Sequence, residues 1–170
     1  AGAVGINLED GTANPVRPIR GLKDAADRIR TARDRADTMG VPLVINARVD
    51  IYLKHIGEET MRFDETVRRA KAYLAAGADC VFPIGLSDAN VIGNLVAALK
   101  APINVVGRSG MPSAATLEKL GVARISTASG PSMAVLDFIR SIGQTLRRDG
   151  TFDVLASKIT RPEVQKLFAD

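Results

Sequence analysis

Five short apolar runs, each followed by a stretch with helical spacing, constrain this chain more than any other feature. The runs are Ala3–Leu8, Leu43–Ala47, Asp79–Ile84, Ile103–Val106 and Arg124–Thr127. Regular β-α alternation with apolar strands predicts a parallel sheet with helices packed on it, joined by right-handed crossovers. Two architectures fit: an open doubly wound sheet, or part of a (β/α)8 barrel. A complete barrel takes eight units and about 250 residues, so a chain of 170 falls roughly 80 residues, or about three units, short. The chain has no initiating Met and opens inside a strand-like run. The expectation is that a front part is missing or was removed.

Helix signals fill the intervals. Leu22, Ala25, Ala26, Ile29, Ala32, Ala36 and Met39 form an apolar stripe at spacings of three and four, stopped by Gly40 and Pro42. Asp64 is placed to cap a helix over 65–76 whose inner side carries Val67, Ala70, Lys71, Leu74 and Ala75. Ser87 or Asp88 opens a third helix, Ser113 a fourth, and Ser129-Gly130-Pro131 a long fifth that reaches about Arg148. Residues 1–150 therefore read as a run of βα units and 151–170 as a tail, in which Thr160 and Glu163 have capping-box spacing.

Composition narrows the function classes. No apolar run is long enough for a membrane span, and no signal peptide is expected from the opening residues. The net charge is +4, but Arg28, Arg30, Arg33 and Arg35 share a helix with Asp24, Asp27, Asp34 and Asp37, which describes a solvated face. Aromatics are 4% with no Trp, so base-stacking platforms and nucleic-acid partners are not expected. The single cysteine, Cys80, excludes an internal disulfide and suits a reducing cytoplasm.

Two strand ends carry opposite charge. The first run ends in Glu9-Asp10-Gly11, and the second in Asn46-Ala47-Arg48-Val49-Asp50. In one parallel sheet Glu9 and Arg48 emerge at the same end, where α/β folds bind ligands. Glu9 is read either as a ligand for a hard cation such as Mg²⁺ or as a cap or rim ion pair. Asp10 is assigned to the turn with Gly11. Arg48 suits a carboxylate or phosphonate through its planar fork, the alternative being an ion pair with Asp50 or Glu9. The Gly107–Gly110 loop and Ser129-Gly130 are weaker anion signals, better read as a tight turn and a cap. His55 stands alone in a long polar connection, and Cys80 reads as a buried structural thiol.

The segments Ala1–Asp10, Ile45–Asp50, Arg69–Asp79, Pro102–Val106 and Leu120–Ser126, in this order, resemble the isocitrate lyase/phosphoenolpyruvate mutase superfamily. The resemblance implies a (β/α)8 TIM barrel entered at its fourth strand. It implies Mg²⁺-dependent (or Mn²⁺-dependent) lyase or mutase chemistry at a C–C or P–C bond beside a 2-oxo acid or enolpyruvate unit. It places Glu9 at the metal site, and Arg48, with Asn46, at the anionic group of a small 2-oxo acid or phosphonate substrate. It also implies a dimer or tetramer assembled through the last long helix. The lyases' Cys-containing loop after the fourth strand is absent, since Asp10 is followed by Gly11-Thr12-Ala13-Asn14-Pro15. Asn14 is the one candidate remnant of a mutase gating loop, and His55 a candidate lid residue. The alternative reading is a truncated or degenerate barrel that binds or assembles without catalysis.

Overall fold

The computed structural model describes residues 2–169; Ala1, which opens the first motif, and Asp170, which ends the tail, lie outside the described residues. Strands β1 (Gly5–Glu9), β2 (Val44–Val49), β3 (Cys80–Pro83), β4 (Asn104–Val106) and β5 (Arg124–Ser126) alternate with helices α1 (Leu22–Thr38), α2 (Arg62–Ala75), α3 (Ala89–Leu99) and α4 (Ala114–Lys119). Every strand pairing is parallel. β1, β2 and β3 form one sheet in that order, β4 and β5 a second, and a parallel bridge between Val81 and Ile103 links β3 to the start of β4. The α/β alternation expected from the sequence is present in chain order.

Strand alternation sorts the side chains into two sets. Ile45, Ala47, Val49, Val81, Ile103 and Val105 are buried in one core with Ala25 and Ile29 of α1, Ala70 and Tyr73 of α2, and Ile92 and Leu95 of α3. The intervening positions carry the polar residues Asn7, Glu9, Asn46, Arg48 and Asn104, together with Cys80 and Phe82, which pair with Asn46 and Arg48. The register pairs Asn7 with Asn46 and Glu9 with Arg48.

Four sequence expectations need correction. β1 is not buried as an apolar run would be: among the described residues it pairs with β2, and its side chains alternate between exposed and partly buried. Met39, at the end of the α1 stripe, is exposed, because the helix has passed the sheet by then. α2 begins at Arg62 after a 3₁₀ turn (Glu59–Met61), so Asp64 sits within its first turn and caps nothing by hydrogen bond. The buried residues of α2 are Thr66, Arg69, Ala70 and Tyr73, while Lys71 and Ala75 face solvent. A hydrophobicity stripe misses this face because two of its members are buried for their polar atoms.

Asp88 caps α3 by accepting from the N–H groups of Asn90 and Val91, and Ser113 caps α4 through Thr116. Ser129 does not cap with its side chain. The chain divides into two compact units, one ending at Ala128 and one beginning at Ser129, so the long helix groups with the tail. The second unit holds α5 (Gly130–Asp149), a 3₁₀ turn (Asp153–Leu155) and α6 (Arg161–Lys166), which has the expected Thr160–Glu163 capping box. No residue of α5 is buried, and Met133, Leu136, Phe138 and Ile139 are exposed along it. No described helix is long and apolar enough to cross a membrane.

Candidate functional site

The parallel register brings Glu9 and Arg48 side by side at the carboxyl ends of β1 and β2. Arg48 is only partly exposed (23%), and all of its nitrogens are engaged. Nε and Nη2 donate to the two carboxylate oxygens of Asp50 at 2.7 and 2.9 Å, and Nη1 lies 2.7 Å from Oε2 of Glu9. The two acids differ in kind. Asp50 is 1% exposed and locked in a bidentate fork, whereas the Glu9 side chain is 51% exposed and makes a single contact. Both ion pairs that the sequence left as the alternative role for Arg48 are therefore formed.

Asp50 is held from behind. Gly11 packs directly on it: a Cβ there would stand 2.2 Å from Asp50 Oδ2. The Asp50 N–H donates to Oδ1 of Asp10 at 2.9 Å. Asp10 is 1% exposed, and its other oxygen accepts from Tyr73 Oη at 2.7 Å and Arg69 Nη1 at 3.2 Å. Arg69 also donates through Nε to Glu65 at 2.7 Å. Burial pushes the Asp10 carboxyl above its ordinary range, against the opposing pull of Tyr73, the Asp50 N–H and Arg69. Burial likewise pushes the Tyr73 phenol well up, and the Asp10 charge adds to it. For Glu65 the net shift is downward: the bond from Arg68 leads, and with Arg69 it outweighs burial. Asp10 thus does more than form a turn with Gly11. It ties the ends of β1 and β2 to α2.

Asn46 donates to Asn7 Oδ1 at 2.8 Å, while its own Oδ1 is buried without a partner among the described residues. It lines a pocket of about 250 Å³ with Asn7, Cys80 and Arg124, below the Glu9–Arg48 level of the same strands. Cys80 is buried, and burial raises its thiol, which fits an unreactive structural cysteine. Asn14 turns its side chain onto its own loop, accepting from the N–H groups of Val16 and Arg17. His55 is exposed at the end of a turn, with φ of 51°.

The described residues contain no cluster of three or more His, Cys, Asp or Glu able to hold a metal. Of Glu9, Asp10 and Asp50, only Glu9 is half exposed, with one oxygen outside its contact to Arg48; Asp10 and Asp50 are buried and committed to internal partners. These residues do not by themselves fit a Mg²⁺ site. The sequence pointed to Glu9, Arg48 and Asn46 as candidates and named Asp50 only as an alternative partner; the structure brings Glu9, Arg48 and Asp50 together and sets Asn46 two residues earlier on β2. Arg69 and Tyr73 were missed; the one available signal for them was two polar residues four apart on a face that should be apolar.

A parallel α/β scaffold with an acid and a guanidinium at adjacent strand ends is the arrangement on which enzymes of this fold class build small-molecule sites. Comparison with known proteins narrows the class. The family model described as phosphoenolpyruvate phosphomutase matches residues 1–147, and the chain belongs to that family, within the isocitrate lyase/phosphoenolpyruvate mutase superfamily. It is 35% identical over 133 residues to the uncharacterised protein Rv1998c of Mycobacterium tuberculosis, covering 78% of this chain and 47% of that protein. It is 29% identical to oxaloacetate decarboxylase 2 of Pseudomonas putida, over 96% of this chain and 55% of that enzyme. Its structure matches that of a provisional lyase/mutase from Burkholderia cenocepacia J2315 with a TM-score of 0.90 and 33% identity, covering 99% of this chain and 60% of the other. The chain spans about half the length of the curated relatives it matches.

Proposed function

We propose that this chain carries part of the active site of a lyase or mutase acting on a small anionic 2-oxo acid or phosphonate, with Arg48 as the anion-binding group. The observation that supports it most is the asymmetric Glu9–Arg48–Asp50 cluster. The buried fork on Asp50 fixes the guanidinium plane, and the half-exposed contact with Glu9 leaves one nitrogen that an incoming carboxylate or phosphonate can take over. A guanidinium held this way stabilises negative charge that develops on an enolate-like species without having to reorganise. Asn46, one layer below, is the second candidate substrate contact: its unpartnered oxygen can accept from a substrate hydroxyl, not from the anionic group that Arg48 takes.

The five βα units are read as an arc of a (β/α)8 barrel from its fourth strand onward, a reading supported by the parallel order and by the overlap with the Burkholderia structure. If Mg²⁺ (or Mn²⁺) takes part, Glu9 is its one candidate ligand among the described residues, and the ion would supply electrostatic stabilisation of an enolate-like oxygen. The exposed apolar side of α5 supports assembly into a homo-oligomer through that helix. The buried single thiol is in keeping with a cytoplasmic setting.

The test is a screen with Mg²⁺ against oxaloacetate, methylisocitrate, substituted malates and phosphonopyruvate, paired with calorimetric titration of oxalate. Turnover or oxalate binding that Arg48→Ala abolishes, with the fold intact by circular dichroism, is the expected result. Equal behaviour of wild type and Arg48→Ala removes Arg48 from the site. No turnover and no anion binding by wild type favours a binding or assembly role.

A further inference from the structure

A short path of contacts runs from α2 to the guanidinium of Arg48. Tyr73 and Arg69 both donate to Oδ2 of Asp10. The other Asp10 oxygen accepts from the N–H of Asp50, and the Asp50 carboxylate takes the Arg48 fork. The Asp10 main chain doubles the link. Its N–H donates to the Arg48 carbonyl at 3.2 Å, and its carbonyl accepts from the Arg20 N–H at 2.8 Å. Arg69 closes the loop by donating to the Arg20 carbonyl at 3.0 Å. Asp10, Asp50, Arg69 and Tyr73 are all buried.

Stability alone does not explain this arrangement. An apolar group of similar volume generally holds a helix on a sheet as well as a buried ion pair does, or better. What the ion pair adds is direction. Asp10 aims one oxygen at a single backbone N–H, and that N–H belongs to the residue on which Arg48 is seated. We propose that Arg69 and Tyr73 are positioning residues for Arg48: α2 fixes Asp10, Asp10 fixes the Asp50 backbone, and Asp50 fixes the guanidinium plane. The proposal rests on the reading of Arg48 as the anion-binding group and extends its support to α2. Arg69 and Tyr73 sit four apart on one helix face, while Lys71 between them points to solvent.

The experiment follows the arginine Nε–H resonances of the ¹⁵N-labelled 170-residue chain, with Arg48 assigned by its loss in Arg48→Lys. In Tyr73→Phe and Arg69→Met, solvent exchange at Arg48 Nε–H should rise about tenfold, the weight of one hydrogen bond to a charged acceptor. Arg69→Lys should recover part of that loss. The reference is Arg33 Nε–H, which donates to the Gly77 carbonyl at 3.1 Å just beyond α2. It should keep its wild-type rate. An unchanged Arg48 rate in destabilised variants, or Arg33 and Arg48 accelerating together, means that the network merely holds α2 in place and overturns the proposal. Tyr73→Phe removes a single hydroxyl and carries the test should Arg69→Met not fold. Oxalate is titrated into wild type in the same experiment. If no resonance responds to it, the anion-site reading fails, while the exchange rates still decide the positioning role.

Discussion

Substituting Gly11 by alanine tests the geometry of the candidate site without removing a charged group. The new Cβ would lie 2.2 Å from Asp50 Oδ2, 2.9 Å from Asp50 Cγ and 2.8 Å from Lys54 Cε. Lys54 Cε belongs to a long side chain that can swing aside. Asp50 cannot: it is 1% exposed and bound through both oxygens to Arg48. Relief therefore requires moving the carboxylate, and the fork with it, or bending the β1 exit. Overpacking of this kind costs about 1–3 kcal/mol. Weakening a charge-assisted bond adds part of a further 1.5–3 kcal/mol or so. The expected loss is about 2–4 kcal/mol in urea unfolding. Gly5→Ala is the matched control, since its Cβ would meet only Val44 at 3.4 Å, an ordinary contact, and it should change stability by less than about 0.5 kcal/mol. A Gly11→Ala loss no larger than the control's would refute the claim that Asp50 is rigidly seated.

Arg69→Met leaves Asp10 buried without its cation and should cost about 3–5 kcal/mol near neutral pH. The Asp10 pKa lies above its unfolded value already and rises further in the variant, so folding favours the protonated acid and the variant's deficit shrinks as pH falls through that raised value. Glu65, whose pKa is lowered partly by Arg69, narrows the gap in the same direction, because wild type loses that contribution as pH falls below the unfolded value of 4.5. A deficit that stays constant from neutral pH to pH 4 in urea titrations would contradict this. The chain's two tyrosines, Tyr52 and Tyr73, both have phenol pKa values raised by burial above 10.0. Their folded forms resist ionisation, so stability is lost as pH climbs above 10.0, and tyrosinate absorbance should appear together with unfolding by circular dichroism. Full ionisation near pH 10 with an intact fold would oppose it.

The βα order was legible because it is written in local signals: apolar runs, Gly and Pro stops, and side-chain caps such as Asp88 and the Thr160–Glu163 box. The pairing of Glu9 with Arg48 was legible because parallel strands set their carboxyl ends level. What could not be read was the support behind them. Arg69 and Tyr73 look like surface residues in a hydrophobicity pattern, and Asp10 like a turn former, because their burial depends on partners 59 and 63 residues away in sequence.

The charge balance at Arg48 yields a sharper test of its role than removing it. One guanidinium between two carboxylates leaves the cluster with an excess negative charge, so an incoming anion must first displace one of the acids. Asp50 is the wrong one: freeing it would strand a buried carboxylate at a cost of several kcal/mol. Glu9 is half exposed, and pairs of that kind contribute about 0–1 kcal/mol. Glu9→Gln should therefore tighten oxalate binding in the absence of divalent metal, by up to about fivefold. Asp50→Asn should weaken it, because the fork that orients the guanidinium is lost. The effect of Glu9→Gln should also fade in high salt, as expected for a partly exposed charge. If Glu9→Gln weakens oxalate binding under metal-free conditions, Glu9 is not a competitor for Arg48 but part of the anion's own seat, and the exchange of one acid for another at this guanidinium is wrong.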